Sequence, residues 1–272
     1  MTDHKDRSNS IHAVILDWAG TTVDHGCMAP SAAFTRVFAD RGVSVTVEQT
    51  RKPMGAHKRD HIRRMLEDPD VSQAWLQAVG RPATDADIQA MYEEGTAALH
   101  DTVLEHAELI EGCVEAIAAI RDRSIRVAST TGYPKELLDL VRQAAREQGY
   151  EPEVALAASE VARGRPAPDL CWTAAMRVDA PSAAACVKVG DTVVDILAGL
   201  NAGMWTVGVA GTGNELGLTA EGLRDADPAL IEQARARLRA AGAHHVVDTI
   251  ADLPAALDRI AAASGGPPAS TR

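Results

Sequence analysis

No apolar run in this sequence approaches the roughly 20 residues that a membrane-spanning helix needs, which excludes an integral membrane role. Basic residues are in deficit as well: 27 Lys and Arg stand against 38 Asp and Glu, for a formal charge of −11. Phosphate backbones and anionic membranes are held mainly by clustered Lys and Arg, so broad adhesion to nucleic acid or to a membrane surface is excluded too. Any phosphate must be met by a few local cations. Cysteine is sparse, and Cys27, Cys113, Cys171 and Cys186 lie far apart with no C-x-x-C pair, which speaks against a disulfide framework or a thiolate metal site. The first ten residues lack the apolar stretch of a secretion signal, so the chain reads as cytoplasmic with reduced thiols. No internal repeat is present.

What the chain has is length. Its 272 residues exceed one typical domain and suit a large α/β domain or a core with an inserted second domain. Short runs rich in Val and Ile recur, each followed by a Gly, Thr or Asp turn and then a stretch of helical spacing, the pattern of βα units and a parallel sheet. The runs predict strands over 12–16, 125–129, 154–157, 186–189, 205–209 and 245–247. Residues 17–124 separate the first two, far more than a crossover needs, and they read as almost wholly helical. Pro30 is expected to open the first of these helices, Phe34, Val37 and Phe38 to form its apolar stripe, and Gly42 to stop it. Thr46 with Gln49 suggests a capping box, Pro53 interrupts the chain, and further helices are predicted over 56–67, 71–79 and 85–100. The fold class is therefore α/β: a Rossmann-like parallel-sheet core, 11–26 and 107–262, with an inserted helical cap domain, 27–106. Residues 1–10 and 263–272 are expected to be disordered.

In such sheets chemistry collects at the carboxyl ends of the strands. Asp17-Trp18-Ala19-Gly20-Thr21-Thr22, Ser129-Thr130-Thr131-Gly132, Gly164-Arg165-Pro166 and Gly190-Asp191-Thr192-Val193-Val194-Asp195 all fall at or just beyond such ends. In this order they resemble the four motifs of the haloacid dehalogenase superfamily, in which an aspartate attacks phosphorus or carbon. The physics agrees. A carboxylate attacking an anionic phosphoryl group faces repulsion that a divalent cation shared by two carboxylates removes. Asp17 and Asp191 would hold that ion, with oxygen ligands suited to Mg²⁺. If a helix begins at this point, the spacing of four puts Asp191 and Asp195 on one face, making Asp195 a water-bridged or outer ligand. Thr131 and Arg165 would bind phosphoryl oxygens through hydroxyl and guanidinium.

Ala19 narrows the subclass. Many superfamily members carry a second aspartate there, the acid that protonates an alkoxide leaving group; losing it would cost a phosphomonoesterase about 10²- to 10⁴-fold in rate. A carbon leaving group that departs as an enamine needs no such acid. Enamine chemistry needs an amine, and only five lysines occur in the chain. One of them, Lys58, shares a predicted helix face with His61, Ile62 and Met65. Desolvation and nearby cations would lower its pKa to give the neutral amine that condenses with an aldehyde.

Together with Arg51-Lys52-Pro53-Met54-Gly55, Tyr133 and the run 201–209, these motifs resemble the phosphonoacetaldehyde hydrolases, or phosphonatases, over residues 11–257 or so. The resemblance implies a Mg²⁺-dependent homodimer that hydrolyses the C–P bond of a small phosphonate to acetaldehyde and orthophosphate. It implies Asp17 as nucleophile and Lys58 as the Schiff-base lysine of the cap. Asp17, the Ala19 main-chain carbonyl and Asp191 would be the metal ligands, and Met54, Gly55, His61, Cys27 and Tyr133 cap or pocket residues. His61, one turn from Lys58, is the candidate proton shuttle. A phosphomonoesterase or sugar-phosphate mutase on the same scaffold is the competing reading, against which Ala19 and Lys58 stand. A noncatalytic module on a decayed scaffold predicts the loss of a nucleophile or metal position, and none is lost. His57 and His61 have the i, i+4 spacing of zinc helices but lack the Glu of H-E-x-x-H, so they are not read as a metal pair.

Overall fold

The computed structural model describes residues 11–263 and 267; the expectation of disorder over 1–10 and 263–272 lies, but for 263 and 267, outside them. The apolar runs form six strands: β1 (Ala13–Leu16), β2 (Arg126–Thr130), β3 (Val154–Leu156), β4 (Cys186–Gly190), β5 (Trp205–Val209) and β6 (His245–Val247). All neighbours are parallel, in the order β3-β2-β1-β4-β5-β6. Period-two alternation divides their side chains between two cores. Val14, Leu16, Val127, Val187 and Val207 face one layer of helices with Ile117, Leu137 and Leu257, while Ala13, Ile15, Ala128 and Cys186 face another with Leu170, Ala174 and Ala198. With both faces covered, the strands read as continuous apolar runs.

The chain leaves β1 toward β2 and β3 on one side and returns to build β4, β5 and β6 on the other, so the strand order reverses at β1. Ligands of open α/β sheets sit in the crevice at that reversal. Register makes this concrete: Leu16 lies opposite both Ser129 of β2 and Val189 of β4. The next residues, Asp17, Thr130 and Gly190, therefore emerge side by side at one edge.

Of the helices between β1 and β2, five make up the insertion: α1 (Met28–Ala39), α2 (Val47–Arg51), α3 (Lys58–Glu67), α4 (Pro69–Val79) and α5 (Asp85–Thr102). They bury a core of their own, with Phe34, Phe38, Ile62, Met65, Trp75 and Met91 at its centre. Outside this insertion lie α6 (Cys113–Arg121), α7 (Lys135–Glu147), α8 (Asp169–Arg177), α9 (Val193–Ala202), α10 (Ala220–Arg224), α11 (Pro228–Ala240) and α12 (Leu253–Ala262).

Several helix starts differ from expectation, each for a local reason. α1 opens at Met28 rather than Pro30 because the Asp24 carboxylate accepts the Met28 and Ala29 N–H groups at 2.9 and 3.3 Å, which leaves Pro30 inside the first turn where its missing donor costs nothing. α3 begins at Lys58 rather than residue 56, since His57 Nδ1 accepts the Arg59 N–H at 3.2 Å as its cap. Asp68 caps α4 with Pro69 at its first position, two residues ahead of the expected start. The Thr46–Gln49 capping box is formed, with bonds of 2.9 and 3.1 Å.

Trp75 is 2% exposed and central to the insertion's core, so Trp75→Ala is expected to cost about 3–5 kcal/mol. Urea unfolding checks this, and a loss below about 1 kcal/mol would mean that the ring is not packed as described.

Candidate active site

Asp17, Asp191 and Asp195 converge at the carboxyl edge of the sheet, each buried, with one ligand oxygen from each within 4.8 Å of the others. So many like charges away from water oppose ionisation. Burial first, then the charges of Asp17 and Asp195, push Asp191 up to about 8. Burial also raises Asp17, with Asp195 adding to it and Arg165 working against it. Asp195 moves the other way, down to about 2, because Arg165 and Lys188 outweigh its burial.

The hydrogen bonds explain that division. Arg165 Nη2 donates to Asp17 Oδ1 at 2.8 Å and to the Thr130 carbonyl at 3.3 Å, and its Nη1 to Asp195 Oδ1. Lys188 Nζ lies 2.7 Å from the same Asp195 oxygen and donates to the Val189 carbonyl at 2.9 Å. Thr192 Oγ1 donates to Asp195 Oδ2 at 2.6 Å. Asp195 is thus the shared counter-ion of two buried cations. Among the described residues Asp191 has only uncharged partners: the Asn214 N–H at 2.8 Å and Cys27 Sγ at 3.2 Å on Oδ2, and Thr21 Oγ1 at 3.3 Å on Oδ1. The donor set, three carboxylates with one uncompensated, fits a hard divalent cation.

The helical face expected to join Asp191 and Asp195 is not what brings them together. α9 starts only at Val193, capped by Thr192, so Asp191 stands before the helix and a turn supplies the convergence.

Above this edge lies a tight cleft lined by Asp17, Ala19, Cys27, Pro30, Met54, Gly55, Lys58, Thr131, Gly132, Tyr133, Asp191 and Thr192. It joins residues expected from both the core and the insertion. Gly55 has φ +86°, and a Cβ there would come within 2.5 Å of Thr192 Oγ1, so only glycine lets the insertion's loop sit on the turn that carries Asp191.

Lys58 is 6% exposed. Its Nζ stands 5.3 Å from the centre of the Phe34 ring, 5.1 Å from that of Tyr133 and 4.0 Å from Met54 Sδ. Burial pulls its pKa down to about 8, despite the opposing charge of Asp17. Burial also drives the Cys27 thiol well above its ordinary value, so it is a neutral donor rather than a nucleophile.

Arg165 and Asp195 do not line the cleft; they stand behind Asp17. His61 does not line it either. Its Nε2 is 2.8 Å from the Thr50 carbonyl, its ring stacks on Phe34 at 3.9 Å, and burial, with Lys58 adding, holds its pKa well below 6.5. Nε2 is committed to that carbonyl and Nδ1 is buried without a partner among the described residues, so His61 packs behind the cleft in which the expected proton shuttle would act.

No role in the site is expected from sequence for Lys188, Asn214, Phe34 or Thr192. Lys188 left a trace, as the one charged residue in a strand otherwise wholly apolar, Cys186–Gly190. Asn214 left none, because only the folded 211–217 loop brings its N–H to Asp191.

A family profile described as haloacid dehalogenase-like hydrolase matches residues 11–203, and a related hydrolase profile matches 162–253. A phosphonoacetaldehyde hydrolase of Bacillus cereus is 43% identical over 254 residues, 92% of this chain and 96% of its own. A phosphonoacetaldehyde hydrolase-like protein of Syntrophobacter fumaroxidans is 43% identical over 251 residues, 91% of each chain. The crystal structure of a phosphonoacetaldehyde hydrolase-like protein from Oleispira antarctica superposes with a TM-score of 0.91 at 37% identity, covering 96% of both chains. The chain belongs to the haloacid dehalogenase-like hydrolases and, within them, to the phosphonoacetaldehyde hydrolase family. Family membership accounts for the order of the four motifs around the cleft, and for Ala where many superfamily members have a second Asp.

Asp195→Asn would leave Arg165 and Lys188 sharing too little negative charge in a dry site. The expected cost is about 3–5 kcal/mol in urea unfolding, and a change within about 0.5 kcal/mol would contradict the counter-ion assignment.

Proposed function

We propose that this protein hydrolyses the C–P bond of phosphonoacetaldehyde to acetaldehyde and orthophosphate. The observation that carries this reading is a buried amine, Lys58, held near a pKa of about 8 in the same cleft as the Asp17 carboxylate. An ordinary phosphatase of this scaffold has no use for that amine.

Direct cleavage of the C–P bond would expel a poorly stabilised carbanion. The neutral Lys58 amine adds instead to the aldehyde, and loss of water gives a protonated imine beside the bond to be broken. Asp17 attacks phosphorus in line; as the P–O bond forms and the C–P bond breaks, the electron pair moves into the imine to give an enamine. Water then hydrolyses the aspartyl phosphate to orthophosphate and restores the carboxylate. The enamine takes a proton at carbon, and water cleaves the resulting imine to acetaldehyde and free Lys58.

Asp17, Asp191 and the Ala19 carbonyl would hold Mg²⁺, which when bound offsets the charge of the phosphonate and of the transition state. Thr131, in the cleft wall, would contact phosphoryl oxygens through its hydroxyl. Arg165, tied to Asp17 and Asp195, would orient the nucleophile from behind it. Met54, Gly55, Cys27 and Tyr133 shape the pocket around the two-carbon chain. We take residues 27–106 as a cap over a core of 11–26 and 107–262, with closure excluding water while the imine is present. Family likeness also supports a homodimer, which sedimentation analysis tests directly.

Phosphate release from phosphonoacetaldehyde, compared with a simple phosphate monoester under the same conditions, tests the reading. Rapid release from the phosphonate alone is expected, lost on chelation and restored by Mg²⁺. Lys58→Arg keeps the charge but forms no imine, so it is expected to abolish cleavage while leaving the fold intact. Faster turnover of the monoester, or wild-type cleavage by Lys58→Arg, would contradict it.

A further inference from the structure

Arg51, at the end of α2 in the insertion, reaches into the core and has no part in the chemistry proposed above. Its Nη1 donates to the Gly26 carbonyl at 2.7 Å and to the Asn214 carbonyl at 3.4 Å. Its Nη2 lies 3.5 Å from Met28 Sδ. Asn214 answers with its side chain, Nδ2 donating to the Arg51 carbonyl at 3.2 Å. The two residues therefore clasp each other across the joint between insertion and core. Gly217 closes the other side: its φ is +68°, and any Cβ there would collide with the guanidinium.

The clasp ends on the metal-site carboxylate. Asn214 holds Arg51 with its carbonyl and side chain while its own N–H donates to Asp191 Oδ2 at 2.8 Å. A shift of the 211–217 loop moves that donor, and Asp191 has no cation among the described residues to hold it otherwise.

The partners of Arg51 are as informative as their positions. Among the described residues no carboxylate lies within ion-pair distance of its guanidinium, which is held by carbonyl oxygens. An ion pair would weaken only gradually as the insertion lifted, whereas bonds to carbonyls are short-ranged and directional and respond sharply to seating. Arg51 Nε is buried without a partner, and lifting the insertion would return it to water, so the clasp is built to release.

We infer that Arg51 is a positioning residue that couples the seating of the helical insertion to the orientation of Asp191, so that the lysine and the metal site are completed together. The inference rests on the proposed role of Asp191 as a metal ligand. Partners of this kind typically change metal affinity by about 10- to 100-fold when removed.

The test is calorimetric titration of the substrate-free full chain with MgCl₂ alone. Arg51→Met is expected to weaken binding by about 10- to 100-fold, and Asn214→Ala, which cuts the return arm but keeps the N–H, by about tenfold. Because both act through one loop, the double variant is expected to bind no more weakly than Arg51→Met. Wild-type affinity in Arg51→Met would overturn the inference whatever its activity. If Arg51→Met shows no cooperative melt, Asn214→Ala decides, and unchanged affinity there overturns it equally. Asp191→Asn separates the two levels. If it binds Mg²⁺ as wild type does, the metal assignment and this inference fall together; if it loses the ion while both clasp variants keep it, only the inference falls.

Discussion

Three carboxylates buried within reach of one ion must be answered by positive charge, and the arrangement of the site follows from how that charge is supplied. Arg165 and Lys188, both buried in protein, answer Asp195 and part of Asp17. They do so from behind, along the face of the sheet that carries α8 and α9, which leaves the cleft side of Asp17 free to meet a substrate. Asp191 is left with hydrogen-bond donors alone and is pushed up to about 8, the mark of a site that is short of one cation. The protein thus keeps permanent counter-charge where it orients the nucleophile and withholds it where an exchangeable ion is wanted.

The insertion applies the opposite rule to its lysine. Lys58 is surrounded by Phe34, Tyr133 and Met54 rather than by carboxylates, so burial favours the neutral amine. Ring faces 5.1 and 5.3 Å away would still tolerate the cation of the proposed protonated imine. The proposed nucleophile belongs to the sheet edge and the proposed amine to the helical layer, and the Gly55 loop packs without a side chain against Thr192. Packing at that contact matters to the chemistry although neither residue takes part in bond making. His61 fits the same description: its ring supports Phe34 and its nitrogen ties α3 to Thr50, which keeps the lysine's helix in place.

Much of this was legible in the sequence because it rests on local pattern. Six apolar runs gave six strands, displaced by no more than a residue at either end, and the residue following each central run landed at the expected edge. Lys58 was legible because lysine is rare here and falls on an apolar helical stripe. What escaped depends on contacts between distant segments. The start of α1 is set by Asp24, whose carboxylate turns back onto Met28 and Ala29 through a left-handed residue. The approach of Asp191 to Asp195 comes from a turn before α9, which no periodicity encodes. Arg165 was expected to bind phosphoryl oxygens, and its pairing with Asp17 and Asp195 joins three segments far apart in the sequence. Asn214 reaches Asp191 through its backbone N–H, where residue type carries little signal.

The central claim is that Lys58 reacts as a neutral amine from within a dry pocket. It is tested most directly by borohydride trapping with phosphonoacetaldehyde, with the modified residue located by mass spectrometry across a pH series. The account predicts a two-carbon unit on Lys58 alone, formed only when substrate is present, with a trapping rate that rises as pH passes through about 8, since the lowered pKa makes the amine neutral above that value. Modification of a different lysine, or a rate that rises only near the ordinary lysine value of about 10.4, would contradict it.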